Sequence, residues 1–193
     1  MKLVSKRTQS RRLAALYGKM AAAYAKAMPQ GFTCEACPQN CCVSHFQHHT
    51  YLEWHTLWEG LNALPQAKRD QYIEKARENV ARTREALDRG ETPRVMCPVN
   101  EDGKCGLYEH RLMICRLYGI PNTVLTRGDF REFPGCPVCM KLLTGKEHVP
   151  MDRTPFYREL AALELELLGA RRAVLPKVDM TLSEMIVAGP PKI

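Results

Sequence analysis

The chain has 193 residues, nine cysteines and a formal net charge of +7, which is length enough for one domain with a buried core. Cysteine at this share does not mark a disulfide-built mini-scaffold, and an odd count leaves one thiol outside any pairing. No apolar run reaches the roughly 18 residues a spanning helix needs, and the basic start (Lys2, Lys6, Arg7, Arg11, Arg12) lacks the apolar stretch of a secretory signal.

The expected compartment is therefore the cytoplasm, where thiols stay reduced. Fold class is expected to be mostly α: a small helical single domain with cysteine-rich metal-binding loops and little or no β-sheet. Residues 1–30 read as a basic N-terminal helix, 31–150 as the cysteine-cluster region, and 151–193 as a C-terminal helix and tail packed on it.

Leu13, Leu16, Tyr17, Met20 and Tyr24 recur at helical spacing, which predicts an amphipathic helix over 8–28, stopped by Pro29 and Gly31. Its Arg12, Lys19 and Lys26 read as a solvated face, with an anionic surface or partner as the alternative. The segment 34–42 reads as a turn entering a short helix. Thr50-Tyr-Leu-Glu53 is a capping-box pattern, followed by an apolar stripe of Trp54, Leu57, Trp58 and Leu61. A second helix is expected from Pro65 to Arg89, with Ile73, Ala76, Val80 and Leu87 inward and Gly90 ending it. These two helices predict a hairpin between the first cysteine group and the second.

Asp102-Gly103 predicts a tight turn between Cys97 and Cys105. Residues 106–118 have helical spacing, with Leu107, Met113 or Ile114, and Leu117 packing, and Cys115 late on the helix. Residues 120–135 read as extended and lead to Gly135-Cys136-Pro-Val-Cys139. Thr154-Pro155 opens a last helix, with the threonine as N-cap, Phe156, Leu160, Leu163 and Leu167 inward, and Gly169 at its end. The tail after Pro176 reads as an extended strap.

The densest chemistry is Cys34-Glu-Ala-Cys37-Pro-Gln-Asn-Cys41-Cys42, four thiols within nine residues. In a reducing compartment such clusters are metal ligands more often than disulfides. Adjacent residues close only a cramped chelate ring on one ion, so Cys41 and Cys42 suit two metals or one polynuclear cluster. Cys136-x-x-Cys139 has chelate spacing beside glycine and proline, and Cys34-x-x-Cys37 shares it. A thioredoxin-type dithiol is the rival, without a βαβ pattern to carry it. A buried apolar role suits a lone cysteine such as Cys115 better than the clustered ones. His45, His48 and His49 could add a nitrogen ligand, but three histidines on a polar segment are more often solvated.

The run Cys34-x2-Cys37-x3-Cys41-Cys42, together with Cys97-Pro-x6-Cys105-x2-Tyr108-Glu-x-Arg111-x3-Cys115-Arg116, resembles a bacterial cysteine-cluster family described as zinc- or iron-chelating domains. Both motifs occur in order over residues 34–118. Leu112 departs from the family pattern, which has proline after the arginine, and the helix is expected to be more regular here. The resemblance implies ligation by Cys34, Cys37, Cys41, Cys42, Cys97, Cys105 and Cys115. Arg111 and Arg116 match its arginines and are assigned hydrogen bonds to thiolate or sulfide. Cys136 and Cys139 lie outside the motif but complete the metal-ligand set considered. Members are described as zinc- or iron–sulfur-binding and in some cases as oxidoreductases; a related domain occurs in flagellin lysine N-methylases.

The expected function is a metal-binding cysteine-cluster protein holding an iron–sulfur cluster, of the 4Fe-4S or another type, or zinc, with a redox or protein-modification role. Enzyme activity stays open. One alternative is a structural-zinc module contacting a protein or RNA; another is a protein-lysine methyltransferase-like enzyme, for which no Gly-rich nucleotide loop is visible. Two four-thiolate sites would each add about two negative charges, leaving roughly +3. The basicity then balances metal, and a redox or protein partner is favoured over nucleic acid.

Overall fold

The computed structural model describes residues 5–33, 41–126 and 128–193. Among these, seven α-helices and five short strands alternate, so the chain is mostly α, with more sheet than composition suggested. It divides into two compact units, each discontinuous in sequence: residues 1–39 with 113–169, and residues 40–112 with 170–193.

The first unit is built on α1 (Lys6–Ala27), where Ser5 caps the start by accepting from Thr8 N–H. Leu13, Leu16, Tyr17 and Met20 are buried as expected, and α1 packs against α6 (Thr154–Leu168) and α4 (Met113–Leu117). Its cations are partly spent inside the unit. Arg12 pairs with Glu166, and Lys19 Nζ lies 2.8 Å from Glu159, both acids on α6.

Strands β3 (Asn122–Thr126) and β4 (Asp129–Phe133) form the extended segment anticipated at 120–135. β3 is central in the order β4-β3-β5, antiparallel to β4 and parallel to β5 (Met151–Asp152). Helix α5 (Pro137–Leu143) follows, with Cys136 at its N-cap.

Two expectations about the helices α4 and α6 fail. Residues 106–118 are not one helix: a 3₁₀ turn at Tyr108–His110 ends in Arg111, whose ψ of 133° is extended, before α4 begins. Leu112 is fully buried just outside α4 and makes no helix more regular; Arg111 adopts the extended backbone that a following proline would impose. Thr154 is not the N-cap of α6, because Arg153 holds that position. The Thr154 hydroxyl accepts instead from Leu125 N–H at 2.8 Å, and Asp152 Oδ1 accepts from Thr154 N–H at 2.8 Å.

In the second unit α2 (Tyr51–Asn62) starts at Thr50, whose hydroxyl accepts from Glu53 N–H at 3.3 Å and donates to the Glu53 carboxylate at 2.9 Å. Helix α3 (Gln66–Asp88) ends as anticipated: Gly90 N–H bonds Leu87 C=O and Glu91 N–H bonds Ala86 C=O, the paired contacts of a Schellman end. Its buried face, however, runs Tyr72, Ala76, Asn79 and Ala86, and Leu87 is 52% exposed. The inward face is rotated because α3 packs on α2 and on a helix the sequence reading missed, α7 (Leu182–Val187). The supposed extended strap carries a full capping box, Thr181 to Glu184. Both indoles of the apolar stripe donate to the far end of α7, Trp54 to Met185 and Gly189 carbonyls and Trp58 to Met185.

The tight turn expected between Cys97 and Cys105 is present as a hairpin of strands β1 (Asn100–Glu101) and β2 (Lys104–Cys105). Glu101 pairs with Lys104, leaving a two-residue loop whose Asp102 and Gly103 have φ of 49° and 86°. Positive φ at both centres defines the type I′ turn that Asp-Gly favours.

Candidate metal centre

Cys41, Cys42, Cys97 and Cys105 belong to the second unit, and Cys115, Cys136 and Cys139 to the first. Cys34 and Cys37 lie outside the described residues. Among the described residues no two cysteines are joined in a disulfide.

Helices α2 and α3 form the loop that returns the chain to its starting point. Cys97 N–H donates to Cys42 C=O at 2.9 Å, so residues 55 positions apart in sequence stand side by side. Asn79, buried on α3, donates to Met96 C=O and fixes the approach to Cys97. Beyond Cys97 the chain tightens: Asn100 N–H bonds Cys97 C=O at 3.0 Å, Gly106 N–H bonds Val99 C=O at 2.8 Å, and Cys105 pairs with Asn100 across the ladder. Backbone groups are thereby used locally, and the thiols are left to make contacts of their own.

Three residues surround these sulfurs. Tyr72 is buried on α3, and its hydroxyl points at Gly106, where any Cβ would collide with it. Burial first, then negative charge on Cys105 and Cys97, hold the Tyr72 hydroxyl above its ordinary pKa. It therefore stays a proton donor beside two thiols. Lys68 stacks over the same ring at 5.0 Å and pairs with Glu101 on the hairpin.

Asn100 is the second. Its Oδ1 accepts from Gly103 N–H at 3.2 Å, while its buried Nδ2 has no full hydrogen bond. That amide nonetheless lies near enough to Cys42 to favour its thiolate. The Cys42 thiol is brought from 9.0 to about 6, by a hydrogen bond from Cys41 above all, then by Asn100 and the positive charge of Arg111, against a burial effect that raises it. Arg111, the third, also stacks over Tyr108 at 5.1 Å.

An acidified thiol, a buried amide donor beside it and a protonated tyrosine near two further thiols fit a thiolate-bound metal or a sulfide-bearing cluster. Among the described residues no three His, Cys, Asp or Glu side chains are arranged as a group that could hold one ion.

The remaining candidates separate. Arg116 stacks over Tyr17 at 4.3 Å in the first unit. Cys115 lies inside the five-residue α4. Cys136 N–H donates to Gly119 C=O at 2.9 Å, and Cys139, third in α5, is fully buried. His48 is buried and held neutral, its pKa pushed down to about 3 by desolvation and by neighbouring His49, while its backbone bridges Met180. His49 Nδ1 lies 3.4 Å from Asp179.

Sequence reasoning missed Tyr72, Asn79 and Asn100. Asn100 carried a signal, since an asparagine three residues before the glycine of a tight turn accepts its amide. Tyr72 and Asn79 carried none, because their value lies in the chain that α3 meets. No protein-family model, no curated protein and no solved structure matches the chain.

Proposed function

We propose that the cysteine groups at 34–42 and 97–105 supply the ligands of a metal centre whose binding draws their sulfurs together, Cys41, Cys42, Cys97 and Cys105 among them, and that the protein is an iron–sulfur protein with a redox or modification role. The observation that carries this reading is the 2.9 Å hydrogen bond from Cys97 N–H to Cys42 C=O, which sets two cysteine groups side by side, with the Cys42 thiol acidified by Cys41, Asn100 and Arg111. The order of cysteine motifs, with its resemblance to zinc- or iron-chelating cysteine-cluster domains, supports it independently. Four thiolates suit iron and zinc alike; the Cys41-Cys42 doublet favours iron, since adjacent sulfurs can reach different irons of one cluster.

Such a cluster supplies one-electron transfer. The chain's own residues stabilise negative charge on sulfur. Asn100 Nδ2 offers a buried N–H, Tyr72 a hydroxyl that keeps its proton, and Arg111 a positive charge. The α1 cations tied to α6 make the helix a weak candidate for nucleic acid.

Anaerobic purification with metal and sulfide analysis and an absorption spectrum tests the reading. A coloured, oxygen-sensitive protein with iron and sulfide is expected. A colourless protein with stoichiometric zinc would replace the redox role with a structural one.

A further inference from the structure

A second feature uses none of the cysteines. Arg153, at the N-cap of α6, is only 6% exposed. Its guanidinium lies 4.3 Å over the Phe133 ring and 5.5 Å from that of Tyr157. Among the described residues no carboxylate pairs with it, and its buried Nε has no acceptor. Buried arginines are ordinarily paired, because an uncompensated charge in low dielectric is costly; desolvation indeed pulls this one below its usual pKa.

The sheet register supplies a partner atom. Arg153 N–H bonds Thr123 C=O at 3.0 Å, tying the residue that follows β5 to β3. Asn122 on β3 stands opposite both Met151 and Phe133. Residues opposite one another across a ladder share a face, so Asn122, Phe133 and Met151 lie on one side of the sheet, and the Arg153 guanidinium reaches that side to lie over Phe133. To stack on Phe133 from the β5 side, Arg153 crosses central strand β3. On that same strip Asn122 is 3% exposed, and its Oδ1 is buried without a donor. The amide orientation is fixed by Nδ2, which donates to Ile120 C=O at 3.0 Å. One buried donor thus lacks an acceptor and one buried acceptor lacks a donor, on one face, at the start of a 15-residue helix whose dipole favours an anion.

We propose that Arg153 and Asn122 form a binding site for a small hydroxy-carboxylate, with the carboxylate on Arg153 and the adjacent hydroxyl donating to Asn122 Oδ1. Phe133 and Tyr157 hold the guanidinium plane and leave its edge for the carboxylate. An amino-carboxylate would bring a second positive charge beside Arg153, so the neutral hydroxyl fits better.

Calorimetric titration of the full chain at constant ionic strength with glycolate, acetate, glycine and inorganic phosphate tests this. Glycolate is expected to bind saturably and about tenfold tighter than acetate, the equivalent of one satisfied buried hydrogen bond. Asn122→Ala should remove that preference while acetate affinity stays, and Arg153→Lys, which keeps the charge and loses the planar fork, should weaken glycolate at least about tenfold. No saturable glycolate binding, affinity unchanged in Arg153→Lys, or tighter binding of glycine or phosphate would each overturn the proposal.

Discussion

Cys97 and Cys105 flank a short hairpin, whereas Cys136 and Cys139 open a helix, and the two pairs meet different surroundings. Around the hairpin, backbone groups bond one another within a few residues, and the thiols act on Tyr72. At α5, Cys139 points into the interior and is fully buried, as a small apolar side chain would be. Only the second pair has chelate spacing, and yet it is the first whose thiols stand beside Tyr72. What separates them is burial: Cys139 is enclosed in the interior, whereas Cys97 and Cys105 are half-buried.

The largest expected effect comes from removing metal. Structural metal sites contribute roughly 10–16 kcal/mol, against about 5–15 kcal/mol for a whole domain. Chelation, or Cys42→Ser with Cys97→Ser, should lower Tm by more than about 10 °C. Cys139→Ala should leave metal content unchanged and cost on the order of 1 kcal/mol. Equal losses at both pairs would erase the contrast.

Gly106→Ala sets a methyl against the Tyr72 hydroxyl and should cost about 1–3 kcal/mol. Tyr72→Phe should relieve most of that cost in the double variant. Additive costs, measured by denaturant unfolding, would mean the hydroxyl does not face the loop.

pH separates two groups in the second unit. In metal-free protein Cys42 sits at about 6 rather than 9.0, so its thiolate contribution is full above 9 and is lost as pH falls toward 6. His48 sits at about 3 rather than 6.5, so the unfolded chain takes up the proton first and stability falls as pH drops from 6.5 toward 3. Arg111→Ala should move the Cys42 alkylation midpoint upward and leave the acid limb alone. His48→Gln should flatten the acid limb only.

The smallest effect concerns α3. Leu87→Gln should change stability by less than about 0.5 kcal/mol, whereas Ala86→Leu should cost about 1–3 kcal/mol. A large loss at Leu87 would restore the face that periodicity suggested.

Helix positions were legible where apolar spacing and caps agreed, as in α1, α2 and the end of α3. The inward face of α3 was not, because Tyr72 and Asn79 are buried by what they meet rather than by their polarity. Helix α7 was missed although Thr181-x-x-Glu184 announced it, since nearby prolines and glycine suggested a strap. The cysteines marked the site; the tyrosine and asparagine around it became visible only once α2 and α3 returned Cys97 to Cys42.

Cysteine-resolved alkylation of anaerobically isolated protein, before and after chelation, tests the metal proposal most directly. Cys41, Cys42, Cys97 and Cys105 are expected to be protected together and to become reactive together when metal leaves. Four thiols alkylating at rates that chelation does not change would contradict it.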